Sequence, residues 1–222
     1  MKKKTLVSWS SGKDSAWMLH ILLQQDEFDI LGLMTTVNRE FDRVAMHGTR
    51  LALVEMQAKA AGLPLHVIHL PWPCSNAQYE SIMKDFYADT LGMGVDTVVF
   101  GDLFLRDIRD YREKQLAGTG ITPVFPLWKL PTVELAEEMI TKGLRARLVC
   151  VDPAKLDIDF AGREFDLQLL ADLPRSVDPC GEFGEFHTFT YAGPMFSSSI
   201  PIQSGPTVHR DGFVFADILP CV

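Results

Sequence analysis

The sequence predicts an α/β protein built on an open, parallel, doubly wound sheet, and three observations predict it. Short apolar runs alternate with stretches whose apolar residues recur at helical spacing, as strands joined by helical crossovers must. Glycines and prolines stand at the junctions, at Gly62, Pro71, Pro73, Gly92 and Gly94. Finally, 222 residues at 47% hydrophobic content suffice for a large core.

The elements follow in order. The run from Leu6 enters a small polar turn, and Trp17, Met18, Ile21 and Leu22 mark the first helix. Residues 28–37 form a strand by apolar content, and 38–48 are polar, with Arg39, Arg43, Met46 and His47. A helix resumes from Thr49 through Leu51, Val54, Ala58 and Ala61, and Gly62 stops it. Residues 65–70 form a strand, 76–91 a helix, and 97–100 a fully apolar strand ending on Gly101-Asp102. Arg106, Arg109, Asp110 and Glu113 then fall at helical spacing, with Arg112 beside them. Pro123, Pro126 and Pro131 mark a break, which divides the chain into 1–127 and 128–222. Beyond it come a helix over 132–142 with Thr132 as its cap, a buried strand over 148–151, a helix over 162–173, and short strands over 200–222.

The turn after the first strand carries the first chemistry: Ser10-Ser11-Gly12-Lys13-Asp14-Ser15. Small residues let a backbone approach an anion, and the first N–H groups of a helix have no partners inside it. Lys13 adds a mobile positive charge, and Ser10, Ser11 and Ser15 add hydroxyls. It is no Walker A loop, because Val7 and Asp14 stand where glycine and Ser or Thr belong, and one glycine is too few for a dinucleotide fingerprint. The plain alternative is a serine-rich turn that caps a helix. In open parallel sheets ligands sit beyond the carboxyl ends of the strands. Gly101-Asp102, at another strand end, therefore belongs near the same anion, and a carboxylate there calls for a cation such as Mg²⁺. The arginines of 106–113 read either as a solvated face with internal ion pairs or as anion ligands aimed into the crevice.

Composition excludes several classes. A net charge of −8 argues against a nucleic-acid surface. No apolar run is long enough to cross a bilayer, and Lys2-Lys3-Lys4 precedes a strand rather than the apolar stretch of a secretory leader. Cys74, Cys150, Cys180 and Cys221 form no Cys-x-x-Cys pair, which points away from zinc and toward reduced thiols in a cytoplasmic protein.

The second unusual stretch is Cys180-Gly181-Glu182-Phe183-Gly184-Glu185-Phe186-His187-Thr188. If its end is extended, Glu185 and His187 share one face and Phe186 takes the other. Glu182, Glu185, His187 and Thr188 suit an amine, an ammonium, a polar acyl group or a metal; a polar loop with turn glycines is the alternative.

The residues 10–15 resemble the Ser-Gly-Gly-x-Asp-Ser loop of the N-type ATP pyrophosphatases, which cleave ATP between its α and β phosphates, with Ser11 in place of the usual glycine. With Gly181–Thr188, which follows a Gly-Glu-x-Gly-Glu-[Tyr/Phe]-x-Thr pattern, and the arginine-rich 101–113, the chain resembles the ATP-binding family that contains diphthine–ammonia ligase. That resemblance implies a nucleotide α-hydrolase (Rossmann-like) fold in 1–127, with a smaller α+β domain in 128–222 completing a cleft. It implies an AMP-forming ligase: an acceptor carboxylate, on a small molecule or a modified protein residue, is adenylated by MgATP, and ammonia displaces AMP. By the same carry-over, Ser10, Ser11, Gly12, Lys13, Asp14, Ser15, Gly101 and Asp102 would hold ATP, and Asp14 and Asp102 the Mg²⁺. Arg106, Arg109, Arg112, Gly181, Glu182, Gly184, Glu185, His187 and Thr188 would line the acceptor site. Lys13, Asp14, Glu182 and Glu185 would act in catalysis. No glutaminase segment is present, so free ammonia is the expected donor. A homo-oligomer is left open. The competing functions are a non-catalytic ATP or AMP sensor and an adenylating RNA-modification enzyme.

Overall fold

The computed structural model describes residues 1–44 and 48–221; Met46 and His47 of the polar segment lie outside the described residues. Two sheets organise the chain. The first has six strands: β1 (Lys3–Ser8), β2 (Phe28–Asn38), β3 (Arg43–Val44), β4 (Leu65–Leu70), β5 (Thr97–Val99) and β6 (Thr122–Val124). Their order is β3-β2-β1-β5-β6, with β4 also on β2. All pairings are parallel except that of the two-residue β3. Helices α1 (Lys13–Leu23), α2 (Leu51–Ala61), α3 (Asn76–Gly92) and α4 (Arg106–Leu116) connect them.

Alternation along the strands explains why both faces are covered. Leu6 and Val98 point into an apolar cluster with Met83, Tyr87 and Leu116, which α3 and α4 supply. Their neighbours Val7 and Val99 point the other way, into a cluster with Trp17, Met18 and Leu22 of α1. That second cluster continues into Leu135, Met139, Leu148, Val151 and Phe186, so α1 is packed between the parallel sheet and the later part of the chain. The later part holds α5 (Thr132–Thr141), α6 (Leu167–Asp172) and the antiparallel sheet β8-β7-β10-β9. Its strands are β7 (Arg145–Val151), β8 (Phe186–Ala192), β9 (Ile202–Arg210) and β10 (Phe213–Pro220).

The mixed α/β class is as expected, and three local readings change. The break around Pro123 contains β6, whose Pro123 is tolerated because β6 lies at the end of the strand order. The helix expected over 162–173 starts only at Leu167, where the Asp166 carboxylate accepts the Leu169 N–H at 2.7 Å. Thr132 does not cap α5, since Pro131 is the N-cap; the Thr132 hydroxyl donates to Asp178 Oδ2 at 2.6 Å instead. The end of the 180–188 stretch is extended, as part of a full strand over 186–192 paired with β7. No helix among the described residues is long and apolar enough to cross a membrane. All four cysteines are free thiols.

Candidate active site

β1 pairs with β2 on one side and β5 on the other, so the strand order reverses at β1 and a crevice opens past its carboxyl end. Residues 9–12 turn there into α1. Ser11 holds φ at +71°, the left-handed region where glycine costs least, and it is fully buried. Three contacts fix it. Its hydroxyl donates to Thr49 Oγ1 at 2.9 Å, and its carbonyl accepts from Thr190 N at 2.9 Å and Gln57 Nε2 at 3.0 Å. Gly12 is the N-cap of α1 and brings no side-chain cap of its own; of the first N–H groups of the helix, that of Lys13 is taken up by Thr188 of β8. Ser10 Oγ accepts from Gly12 N at 3.3 Å and donates to Ser15 Oγ at 3.1 Å, while Ser15 Oγ donates to Gly12 O at 3.0 Å. Gly101 closes the far wall, with the backbone of Asp14 and Ser15 3.4 Å from where its Cβ would stand.

Lys13 is not mobile. Its side chain is 3% exposed. The ammonium donates to both oxygens of Asp14, at 3.0 and 2.9 Å, and to the carbonyl of Cys180. It lies 5.6 Å from the Phe165 ring centre and 5.5 Å from that of Phe186. Burial alone would pull its pKa down, but Asp14 and Glu182 outweigh it and hold it above the ordinary value. For Asp14, burial dominates and raises the carboxyl despite Lys13 beside it.

The 178–188 loop meets this turn. Asp178 organises it: Oδ1 accepts from Cys180 N and Glu182 N at 2.9 and 3.3 Å. At Gly181, φ is +68° and a Cβ would stand 2.8 Å from the Phe186 carbonyl, so only glycine fits. Glu182 Oε1 accepts from Leu103 N at 2.9 Å and Phe104 N at 3.2 Å, tying the loop to the segment after β5. Burial raises its pKa against those two donors. Thr188 Oγ1 accepts Lys13 N–H at 3.0 Å. Burial, then the charges of Lys13 and Lys155, lower His187 to about 4, so its ring is neutral near pH 7. Burial pushes the Cys180 thiol well up, and Sγ contacts the Thr132 carbonyl at 3.5 Å, so it is no activated nucleophile.

A cavity of about 240 Å³ therefore brings together Ser10, Lys13, Asp14, Ser15, Gly101, Asp102, Arg112, Gly181, Glu182, Gly184, His187 and Thr188. Ser11 and Gly12 of the same turn do not line it. Glu185 is separated from it: 2% exposed, it faces inward, with Oε1 accepting from Asp178 N at 3.0 Å and Oε2 without a partner among the described residues. It thus does not share the cavity with His187. Of the three arginines only Arg112 lines the cavity, with Nε donating to Asp102 Oδ2 at 2.8 Å and its guanidinium 4.5 Å from the Phe100 ring. Arg109 pairs with Glu113 and packs on Phe125 and Trp128, and Arg106 pairs with Asp110 in solvent.

A second cavity of about 340 Å³ shares Ser8, Ser10 and Arg112 with the first and is walled by Met34, Thr35, Thr36, Ile68, Tyr79 and Tyr87. The Thr35 hydroxyl is buried there without a partner among the described residues. Sequence reasoning missed this wall, together with Thr49, Gln57 and Asp178. Only Asp178 carried a local signal, an Asp-Pro turn start.

Fold and site together define a class: an α/β enzyme with its polar crevice at the reversal of a parallel sheet and a second sheet closing it. A family model for the diphthamide synthase N-terminal domain matches residues 3–122, and one for the diphthamide synthase C-terminal domain matches 131–218. The chain belongs to the diphthamide synthase family. It is similar to proteins named diphthine–ammonia ligase. The zebrafish (Danio rerio) protein is 30% identical over 182 residues, 74% of this chain and 71% of the relative. The mouse (Mus musculus) protein is 32% identical over 202 residues, 88% of this chain and 74% of the relative. The human (Homo sapiens) one is 31% identical over 104 residues, 45% of this chain and 39% of the relative.

Proposed function

We propose that this protein is an ATP-dependent ligase that adenylates an acceptor carboxylate, releases pyrophosphate, and transfers ammonia to the acyl group with loss of AMP. The relatives' name supports diphthine as the acceptor. One observation carries the reading. The turn 10–15 and the stretch Gly181–Thr188, 175 residues apart at the Lys13–Thr188 hydrogen bond, line one cavity.

Gly12 and the first turn of α1 would cradle the leaving pyrophosphate, with Ser10 and Ser15 hydroxyls assisting. Adenine and ribose would occupy the adjoining cavity, where the Thr35 hydroxyl lacks a partner among the described residues. Lys13 would offset phosphate charge from below the loop. Arg112 would meet a phosphate or the acceptor carboxylate, and Glu182 and His187 would face the incoming amine. Glu182, whose carboxyl burial holds above its ordinary value, would accept a proton from it, and neutral His187 would only hydrogen-bond it. Glu185, facing inward, would support the loop rather than touch the reactants.

Asp14 and Asp102 would hold Mg²⁺. They line the same cavity. Mg²⁺ is commonly held by one or two carboxylates, with phosphate and water filling the rest of its shell. Mg²⁺ would supply charge neutralisation of the triphosphate. We further propose 1–127 as the nucleotide-holding unit and 128–222 as the acceptor unit.

The test is product analysis. Protein incubated with ATP, Mg²⁺, ammonium and a diphthine-bearing acceptor should yield AMP and pyrophosphate in equal amounts. Chelation of Mg²⁺ should abolish both. ADP and phosphate as products would overturn the adenylation step.

A further inference from the structure

The phosphate turn holds an L-residue in a conformation that suits glycine, and a side chain outside the turn compensates for it. Ser11 at φ +71° sits in the left-handed region, which an L side chain disfavours relative to right-handed backbone. Gln57, in the middle of α2, is fully buried. A buried amide is costly unless every group is bonded, and this one is bonded at three points. Nε2 donates to the Ser11 carbonyl at 3.0 Å and to the Thr190 carbonyl at 2.6 Å, and Oε1 accepts the Trp9 indole N–H at 2.8 Å. The Thr190 N–H donates to the same Ser11 carbonyl at 2.9 Å. One amide thus spans the residue before the turn, the strained residue within it, and β8, which carries His187 and Thr188. Turning the Ser11 peptide out of this geometry would leave the Gln57 and Thr190 donors unpaired inside the core.

We infer that Gln57 is the positioning residue of the site: it holds the Ser11 peptide left-handed, so that the start of α1 faces the crevice at a set distance from β8. The inference rests on the reading of that crevice as the ATP site. It explains why serine is tolerated where the related loop has glycine. Glycine reaches positive φ unaided, whereas serine must be held there, by Gln57 on its carbonyl and Thr49 on its hydroxyl.

The test is a rescue. Gln57→Met keeps the length of the side chain and removes both donors. ATP affinity by calorimetry should fall tenfold or more, and amide exchange at Thr190 should accelerate. Adding Ser11→Gly to Gln57→Met should restore most of the affinity and the Thr190 protection, but not the melting temperature lost with the buried hydrogen bonds. Gln57→Glu, whose acid form keeps the Trp9 contact and one donor, should fall between wild type and Gln57→Met; it serves if the methionine variant does not fold. Wild-type affinity in Gln57→Met, or a double variant no better than the single one, would overturn the inference. A purely structural role would lower affinity and stability together without rescue of either. The exchange measurement needs no nucleotide. If the wild-type protein binds no ATP, the ATP reading falls alone, and Thr190 protection still decides the geometry of the turn.

Discussion

The Lys13 ammonium sits between two aromatic rings, a carboxylate and a backbone carbonyl, and this makes it a structural tie as well as a charge. Lys13→Met leaves Asp14, whose side chain is 28% exposed, without its cation. Losing a hydrogen-bonded charged partner costs roughly 1.5–3 kcal/mol, which in a chain of this size lowers the melting midpoint by roughly 3–12 °C. ATP affinity should fall about ten- to a hundredfold in the same variant. Calorimetry and thermal melts on one sample check both; a variant that loses affinity with an unchanged melt would show Lys13 to be a ligand only. His187 predicts a pH effect of defined sign. Its pKa drops from 6.5 to about 4 on folding. Between those values the unfolded chain binds more protons, so acid destabilises the folded form through that window and adds nothing further below about pH 4. The contribution lost is on the order of 3 kcal/mol. His187→Gln lacks the titrating ring, so the difference between its melting curve and that of the wild type should shrink steadily from pH 6.5 to 4. A difference that does not vary with pH would place the ring in water.

α4 shows how an element sorts identical side chains. Three of its arginines have the same chemistry and nearly the same sequence context, yet each meets a different environment. Arg106 and Asp110 form an i,i+4 pair with side chains 72% and 53% exposed, a geometry worth a few tenths of a kcal/mol at most. Arg109 stacks at 4.6 and 4.7 Å on Phe125 and Trp128. Arg112 alone lines the cavity. Alanine at each position should therefore give three outcomes. Arg106→Ala leaves stability within about 0.5 kcal/mol and ATP affinity unchanged. Arg109→Ala loses about 1–2 kcal/mol of stability with affinity unchanged. Arg112→Ala loses affinity by roughly tenfold or more. Urea titrations and calorimetry on the set would refute this ordering if Arg106→Ala were the variant that lost ATP. Spacing in the sequence placed all three on one helix, and it could not rank them. Only Phe100, Phe125 and Trp128, brought in by β5, β6 and the segment after it, decide which guanidinium faces the crevice.

Across the whole molecule, α1 is the shared wall. Its apolar face packs in one cluster with Val7 and Val99 of the parallel sheet and with Leu148, Val151 and Phe186 of the antiparallel one. The Ser11–Thr190, Gln57–Thr190 and Lys13–Thr188 hydrogen bonds cross the same seam. A chain cut after residue 127 would expose that face and strand those groups. Residues 1–127 alone should show no cooperative melt, whereas the full chain should unfold in one transition by circular dichroism and tryptophan fluorescence. A sharp, independent transition in 1–127 would contradict the shared core. The sequence alone determined the α/β alternation, most strand and helix positions in the first hundred residues, the turn at 10–15, and the glycine-spaced stretch at 181–188. These are legible because apolar periodicity, turn glycines and small residues act within a few positions of themselves. The tertiary structure alone decided that Lys13 is buried, that Glu185 turns inward while His187 faces the cavity, that Arg112 is the arginine lining it, and that Gln57 and Thr49 bond to Ser11. These depend on partners from seven residues away, as for Glu185 and Asp178, to 167, as for Lys13 and Cys180, and burial and hydrogen-bond satisfaction exist only once those partners have met.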